Sequence, residues 1–267
     1  MVAGRKKGFI KAPYHGAFFL FIVSCCLSLS VLAAGACRPY LGQEKFFVSY
    51  VYDGDTVRLR DGRKIRLIGI NTPEKGHDGK PEEEGAEAAL QHLSAILKSS
   101  GNLVFVQPDV DPTDRYGRIL AHLYDRQGTN ITEMMLKDGM GIAISFPPNL
   151  QNYDCYSLAE AQARNARRGL WQYGIIPLDV EKLSGDEEGF HLIRGRIERI
   201  GKSRRSLWLN LVRGPALRID WSDWRDFPQH DPDTLQGKQL EVRGWLYHRK
   251  GQQRMQVRHP SAIRWLN

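Results

Sequence analysis

Cysteine is scarce in this chain of 267 residues, and the positions of its four cysteines argue against a zinc site. The sequence has no Cys-x-x-Cys pair and no Cys/His spacing of the kind that structural zinc uses. Cys25 and Cys26 lie in an apolar run near the N-terminus, which leaves Cys37 and Cys155 for the rest of the chain. In an oxidising compartment this pair could form a disulfide. Two unpaired thiols, or a lipidated Cys37 with a free Cys155, are the alternatives.

Acidic residues are absent from residues 1–36, which have the features of a targeting segment. Basic residues from Arg5 to Lys11 precede an apolar run, Ala17–Ala34, and Ala34-Gly35-Ala36 then offers a small-x-small cleavage site. This order is typical of an export signal. At about 18 residues the run is also long enough for a retained membrane anchor, and the residues before Cys37 weakly resemble a lipoprotein box. Each alternative predicts an exported protein, periplasmic or secreted, with or without membrane attachment.

The formal charge of +8 is distributed unevenly along the chain. Residues 37–188 contain 18 Lys/Arg against 23 Asp/Glu, a charge of −5, whereas residues 189–267 contain 16 against 7, a charge of +9. A basic surface of this kind indicates a nucleic-acid partner. The sequence therefore places the basic surface in the C-terminal third.

Short apolar segments separated by Asp-Gly turns predict an antiparallel meander at the start of the exported chain. Three-to-four spacing of apolar residues predicts helices over residues 82–98, 130–138 and 157–168. Strands are predicted over residues 46–51, 56–59, 64–68, 103–106 and 119–124. Five strands with an inserted helix and appended helices predict a small barrel of the oligonucleotide/oligosaccharide-binding (OB) type.

A second group of apolar segments follows, without any repeat that is visible by identity. Strands are predicted over residues 190–200, 206–212, 216–219, 239–247 and 254–257. This pattern predicts a second small OB-like barrel, with a small sandwich as the alternative. The predicted domains are a signal or anchor at 1–36, a first barrel at 37–176, a linker at 177–188 and a basic barrel at 189–267.

Hard oxygen donors are concentrated in two neighbouring segments of the first predicted barrel. Asp55 follows Asp53-Gly54 in a turn, and Asn71-Thr72 lies on the next loop. Carboxylate, amide and backbone carbonyl oxygens suit Ca²⁺ or Mg²⁺ better than zinc. Asp-Gly is also the commonest hairpin turn, so this motif alone does not establish a metal site.

Three charged residues extend this set. Arg66 lies between Ile65 and Leu67 in a strongly apolar strand, where a buried guanidinium needs an anionic partner. Glu74 follows Pro73 and could act as a general base, although a single exposed glutamate is usually only a solvated charge. Together with Arg118, Arg66 could stabilise the charge on the equatorial oxygens of a phosphoryl transition state.

At this point the sequence resembles a known family, that of staphylococcal (thermonuclease-like, micrococcal) nuclease. The resemblance covers roughly residues 46–171 and rests on four motifs in order: D-G-D-T, R-L-I-G-I-N-T-P-E, T-D-R-Y-G-R and E-A-Q-A-R…G-L-W. It implies an OB-like barrel with three helices and Ca²⁺-dependent endonucleolytic cleavage of DNA and RNA that leaves 3′-phosphates.

The resemblance also implies roles for individual residues. Asp55 and Asn71 would be side-chain metal ligands, and Thr72 would ligate through its backbone carbonyl. Glu74 would be the general base, and Arg66 and Arg118 would bind phosphate. We include Arg115, Tyr116 and Phe146 as substrate contacts.

Asn71 departs from the family pattern, which usually has aspartate at this position. Asparagine keeps an oxygen donor but removes a negative charge, so we expect weaker Ca²⁺ binding or a preference for another divalent cation. Phe146 precedes Pro147-Pro148, where the family places aromatic residues near the substrate.

The sequence predicts an exported, metal-dependent nuclease that prefers single-stranded DNA and RNA and needs no obligate protein partner. The alternative is a catalytically weak or inactive nucleic-acid-binding protein with two OB-like barrels. In the basic barrel, arginines interleaved with Trp208, Trp221, Trp224 and Trp245 could form a single-strand platform. The tryptophans could instead belong to the core.

Overall fold

The computed structural model describes residues 1–4, 37–38, 40–42, 44–76, 79, 81–172, 176–228 and 231–266. The chain divides into two compact units, residues 1–34 and residues 35–267. Residues 5–36 of the predicted signal or anchor at 1–36 lie outside the described residues. No helix within the described ranges is both long and apolar enough to cross a membrane.

The N-terminal half of the second unit forms a closed five-stranded barrel. In chain order its elements are β1 (Phe46–Val51), β2 (Thr56–Leu59), β3 (Lys64–Leu67), β4 (Ile70–Asn71), α1 (Ala86–Ser99), β5 (Leu103–Thr113), β6 (Ile119–Tyr124), α2 (Ile131–Lys137), β7 (Ile142–Ala143) and α3 (Tyr153–Asn165). The barrel closes in the order β1-β2-β3-β6-β5, with β3 and β6 parallel. The short strands β4 and β7 pair separately.

The first barrel encloses an apolar core to which the strands and all three of these helices contribute. Its buried members include Val57, Leu59, Ile65, Leu67, Leu93, Leu97, Val104, Leu123, Met135 and Leu136. Helix α1 begins at Ala86, later than predicted, because Gly85 before it has a left-handed backbone (φ 91°). Asn130 caps α2, as its side chain accepts a hydrogen bond from the Glu133 N–H at 3.0 Å.

A disulfide joins Cys37 to Cys155, with the two Cα atoms 5.3 Å apart. Both cysteines are buried in the first core, and Cys155 lies in the first turn of α3. The bond therefore attaches the segment before β1 to the third helix.

The C-terminal half forms a second closed barrel. Its elements are β8 (Leu178–Asp179), β9 (Gly189–Lys202), β10 (Ser206–Leu211), β11 (Ala216–Asp220), α4 (Trp221–Trp224), β12 (Gln239–Arg249), β13 (Gln252–Gln256) and β14 (Ile263–Leu266). Five of these strands close in the order β9-β10-β11-β13-β12 and back to β9, and β11 and β13 are parallel. The two barrels have the same strand order, and the predicted fold class is confirmed.

Residues in the predicted linker 177–188 pack on the second barrel. Strand β8 pairs in parallel with β9, and a 3-10 helix follows at Val180–Lys182. Val180 is buried in the second core. This part of the connection is thus anchored by backbone hydrogen bonds and apolar contacts.

Two buried glutamates connect α3 to strand β12 of the second barrel. Glu160 of α3 binds Arg243 of β12 through two hydrogen bonds of 2.6 and 2.9 Å. Glu241 of β12 receives hydrogen bonds from Arg164 of α3 at 2.6 Å, Arg194 at 3.0 Å and Arg264 at 2.8 Å. Because both carboxylates are buried and paired, these contacts specify how the two barrels meet.

The pKa of Glu241 makes this contact testable. Burial alone would raise the pKa, but the hydrogen bonds from Arg264, Arg164 and Arg194 outweigh it and lower the pKa to about 2. The carboxylate therefore stabilises the fold above its unfolded pKa of 4.5, and the contribution is lost as the pH falls towards 2. We expect Glu241→Gln to lower the unfolding free energy by about 3 kcal/mol at pH 7, measured by urea denaturation.

The loss should shrink to less than half at pH 3, whereas Glu198→Gln, a change at an exposed position on β9, should have little effect at either pH. An equal loss from Glu241→Gln at both pH values would contradict this account.

Candidate active site

Asp55 is a buried carboxylate immediately before β2, only 1% exposed. One of its oxygens accepts hydrogen bonds from the backbone N–H and the hydroxyl of Thr72, both at 3.0 Å. The other accepts from the Thr56 hydroxyl at 3.0 Å. These donors, together with an ion pair to Arg66 at 2.9 Å, compensate for the lost hydration of the carboxylate.

Arg66 has the anionic partner that its apolar strand predicts. Its Nη2 lies 2.9 Å from Asp55 Oδ2 and donates to Asn71 Oδ1 at 3.3 Å. Its Nη1 donates to the carbonyls of Leu67 and Ile70, both at 2.9 Å. These bonds fix the guanidinium beside Asp55.

Asn71 is the last residue of β4, which pairs with β7, and Thr72 follows it and binds Asp55. Asn71 is opposite Ile142 in that pairing, and both Asn71 and Thr72 are buried. The side-chain nitrogen of Asn71 lies 3.5 Å from the Thr72 carbonyl, so its oxygen faces Arg66. If the Asn71 amide rotated, its side-chain oxygen would lie beside the Thr72 carbonyl oxygen instead of facing Arg66.

The donor set fits a hard divalent cation. Asp55, Asn71 and Thr72 offer only oxygen, the ligand type that Ca²⁺ and Mg²⁺ prefer. Asp55 supplies the only negative charge among these three. No group of three or more His, Cys, Asp or Glu that could hold a metal occurs in the described ranges. The residues therefore fit a cation site of low charge.

Asp53 is a second carboxyl at this site that the sequence indicated only as a turn residue. It accepts a hydrogen bond from the Asp55 N–H at 2.9 Å. Burial, followed by the nearby charge of Asp55, raises the pKa of Asp53 to about 7. The Asp-x-Asp spacing was the signal that could have identified it.

Gly54 permits the close approach of Ala89 and Thr72 to the turn that contains these two aspartates. A Cβ at this position would lie 2.7 Å from Ala89 Cβ and 2.8 Å from a methyl carbon of Thr72. The motif therefore requires glycine here because Thr72 approaches so closely.

Glu74 lies at the exposed side of the site, two residues after Thr72. Its backbone N–H donates to Glu83 Oε2 at 3.0 Å, and the Glu83 N–H donates to its carbonyl. Partial desolvation, followed by the charge of Asp55, raises the pKa of the Glu74 carboxyl, while Arg66 and Arg118 act in the opposite direction. Glu74 therefore lies within electrostatic range of the predicted metal ligand and of both predicted phosphate-binding arginines.

Arg118 is held by an aspartate that the sequence analysis did not assign to the site. Its Nε donates to Asp114 Oδ2 at 2.7 Å, and its backbone N–H donates to Asp114 Oδ1 at 2.9 Å. The turn between them exposes Tyr116, and the guanidinium groups of Arg115 and Arg118 lie 4.7 and 5.5 Å from its ring centroid.

Phe146 lies on the loop after β7, with 54% of its surface exposed. The following Pro147-Pro148 peptide bond is cis. The guanidinium of Arg258, from the second barrel, lies 5.0 Å from the Phe146 ring centroid.

The structure thus brings the predicted residues together to different degrees. Asp55, Arg66, Asn71 and Thr72 form one cluster of direct contacts. Glu74 is linked to this cluster and to Arg118 only through the effect of their charges on its pKa. Arg115, Tyr116 and Phe146 lie on exposed loops, as substrate contacts would.

Comparison with known proteins identifies the same region. Residues 64–173 match the family described as staphylococcal nuclease homologue. The thermonuclease of Staphylococcus intermedius is 30% identical over 133 residues, which cover 48% of this chain and 77% of that protein. An uncharacterized endonuclease of Escherichia coli is 32% identical over 130 residues, which cover 45% of this chain and 72% of that protein.

Other relatives are matched over a smaller part of their length. Endonuclease YhcR of Bacillus subtilis is 27% identical over 141 residues, which cover 49% of this chain but only 12% of that protein. The match covers 57% of endonuclease YncB from the same organism. All four of these relatives are named as nucleases, one a thermonuclease and three endonucleases. From its motifs, its barrel and its identity to the thermonuclease, the chain belongs to the family of staphylococcal nuclease homologues.

Proposed function

We propose that this protein is an exported, metal-dependent nuclease that hydrolyses phosphodiester bonds of DNA and RNA. The observation that supports it most is the direct contact of Asp55 with Arg66 and Thr72, close enough to Glu74 for the charges of Asp55, Arg66 and Arg118 to act on the pKa of its carboxyl. These residues come from separate segments of the chain, and a protein that only binds nucleic acid has no need for a general base beside two arginines.

In this proposal, Glu74 removes a proton from the attacking water. Its raised pKa makes it a stronger base than an ordinary carboxylate. A bond forms between the water oxygen and phosphorus, and the bond from phosphorus to the 5′ oxygen breaks. The 5′ oxygen then takes up a proton, and a 3′-phosphate remains.

Arg66 and Arg118 stabilise the charge that develops on the phosphoryl oxygens. Arg66 is fixed by the carbonyls of Leu67 and Ile70, and Arg118 by Asp114, so neither guanidinium has to be ordered during the reaction. Arg115, Tyr116 and Phe146 contact the neighbouring nucleotides of the strand.

Asp55, the Asn71 side-chain oxygen and the Thr72 carbonyl would hold the divalent cation, Ca²⁺ or another hard cation. When bound, such a cation polarises a phosphoryl oxygen and favours the deprotonated form of nearby water.

A catalytically weak nucleic-acid-binding protein is the second candidate. Asn71 is the observation that favours it, because the predicted ligand set has a single negative charge and the Asn71 oxygen faces Arg66.

Glu74→Gln tests the role of the general base. The amide keeps the size of the side chain but cannot accept the proton, so we expect the initial rate of single-stranded DNA digestion to fall by about 100-fold or more. The rate is measured in Ca²⁺ and in chelator, with the exposed Glu84→Gln as the control that keeps full activity. Full activity of Glu74→Gln, or undiminished activity in chelator, would overturn the mechanism.

Asn71→Asp tests the metal site. An added negative charge beside Asp55 should lower the dissociation constant for Ca²⁺ by about tenfold, measured by calorimetric titration and by the Ca²⁺ concentration for half-maximal activity. Asn165→Asp, which adds the same charge at the exposed end of α3, should leave both values unchanged. If the two variants bind Ca²⁺ equally, Asn71 is not a ligand.

A further inference from the structure

The outer face of the second barrel contains a basic cleft of about 260 Å³. It lies over β10 and β11 and is bounded by the turn between β12 and β13. The lining residues are Ser206, Trp208, Arg218, Arg249, Lys250 and Arg254. The cleft therefore combines four basic groups with one aromatic ring.

Most of the positive charge in this cleft is not balanced by acids. Arg218 is paired with Asp220 at 2.7 Å. Arg249 and Lys250 are exposed, and no ion pair joins them or Arg254 to an acid in the part of the chain that the structure describes. The cleft is thus suited to an anionic ligand.

Trp208 supplies a flat surface beside these charges. Its ring is partly exposed, and the Arg254 guanidinium lies 4.8 Å from the ring centroid. Bases stack on indole rings and on guanidinium planes of this kind. An anionic ligand that also carries a flat ring would therefore use the whole cleft.

The other tryptophans do not form one platform with Trp208. Trp224 is buried and stacked on Phe227, and Trp221 packs against the second core. Trp245 is 43% exposed but lies edge-to-face with Phe190 on β9. Of the two alternatives that the sequence left open for the tryptophans, Trp221 and Trp224 therefore follow the core alternative.

The cleft occupies the part of the barrel where OB folds bind oligonucleotides. Strands β10 and β11 are the second and third of the closed barrel, and Lys250 and Gly251 form the turn between the fourth and fifth. OB folds contact single strands with the face of strands two and three and with this turn.

We propose that this cleft binds a single strand of nucleic acid, with phosphates on Arg249, Lys250 and Arg254 and a base on Trp208. Arg258 lies four residues after the lining residue Arg254, about 13 Å away along an extended chain. Arg258 then contacts Phe146. By binding the strand, the cleft also holds it for cleavage at the nuclease site, a role that rests on the proposed function.

Binding is tested on the full chain in chelator, which prevents cleavage. The probe is a fluorescent thymidine oligonucleotide of about 20 nucleotides, longer than the site of one OB barrel, and the readout is fluorescence anisotropy. We expect Trp208→Ala to weaken binding about tenfold and Trp208→Phe to restore most of it. Lys250→Gln should reduce the slope of log affinity against log salt by about 0.7, since one phosphate contact is lost.

Matched controls separate the cleft from the general charge and fold of the barrel. Trp245→Ala removes another exposed tryptophan, and Lys238→Gln removes an exposed positive charge at the opposite end of β12. Both should bind like the native chain. The proposal is overturned if Trp208→Ala and Lys250→Gln bind the oligonucleotide as tightly as the native chain. It is also overturned if the control variants lose as much affinity as these two. Equal affinity of the native chain for polyglutamate and for the oligonucleotide would overturn it as well. Circular dichroism melting checks that Trp208→Ala is folded. If it is not folded, the affinities of the separate variants Trp208→Phe and Lys250→Gln test the proposal instead.

Cleavage in Ca²⁺ distinguishes this proposal from the proposed function. Trp208→Ala should raise KM for the long oligonucleotide about tenfold without changing kcat. The rate of trinucleotide cleavage should also be unchanged. An inactive native chain that still binds through Trp208 would contradict the proposed nuclease but not the cleft. Loss of trinucleotide cleavage in a folded Trp208→Ala would contradict a role in holding the strand.

Discussion

The burial of the Asp55 carboxylate is the constraint on which the site depends. A buried charge must be compensated, and here the donors come from three segments: Thr56 in the same turn, Arg66 on β3 and Thr72 after β4. Satisfying this one group therefore places the Arg66 guanidinium and the Asn71-Thr72 loop around it. Gly54 allows the approach of Thr72, because any side chain there would collide with it. The carboxylate thus organises both the predicted metal ligands and one predicted phosphate-binding group.

The second barrel supports this arrangement as well as adding a basic surface. Arg243 of β12 donates to the carbonyl of Ala143 at 2.6 Å and also binds Glu160, whose carboxylate accepts the Ala143 N–H at 2.6 Å. Ala143 belongs to β7, which pairs with the strand that contains Asn71. A chain of hydrogen bonds and strand pairing therefore connects the second barrel to the loop of the predicted metal site. The two barrels have the same topology but differ in charge, since residues 37–188 carry −5 and residues 189–267 carry +9.

Much of the fold could be predicted because the strands alternate regularly and are separated by Asp-Gly and Gly turns. The partner of Arg66 was also predictable in kind, since a guanidinium in an apolar strand needs an anion. What was missed depends on tertiary contacts. The two-residue strands β4 and β7 are too short to have a period, Asp114 binds Arg118 only through the geometry of its turn, and Asp53 looked like any turn aspartate. Trp208 lies between two leucines and Trp224 between Asp223 and Arg225, so the neighbours in the sequence suggest the opposite of what packing produces, a buried Trp224 and a cleft residue Trp208.

The proposed mechanism requires that oxygen atoms of Asp55, Asn71 and Thr72 bind one cation next to a phosphate held by Arg66 and Arg118. A crystal structure with Ca²⁺ and a non-hydrolysable oligonucleotide measures this directly. We expect the cation about 2.3–2.6 Å from the three oxygens, with the Asn71 amide turned towards it. The phosphate should be within hydrogen-bonding distance of both guanidinium groups and of a water bound to Glu74. A cation bound elsewhere, or a phosphate that contacts neither arginine, would contradict the account.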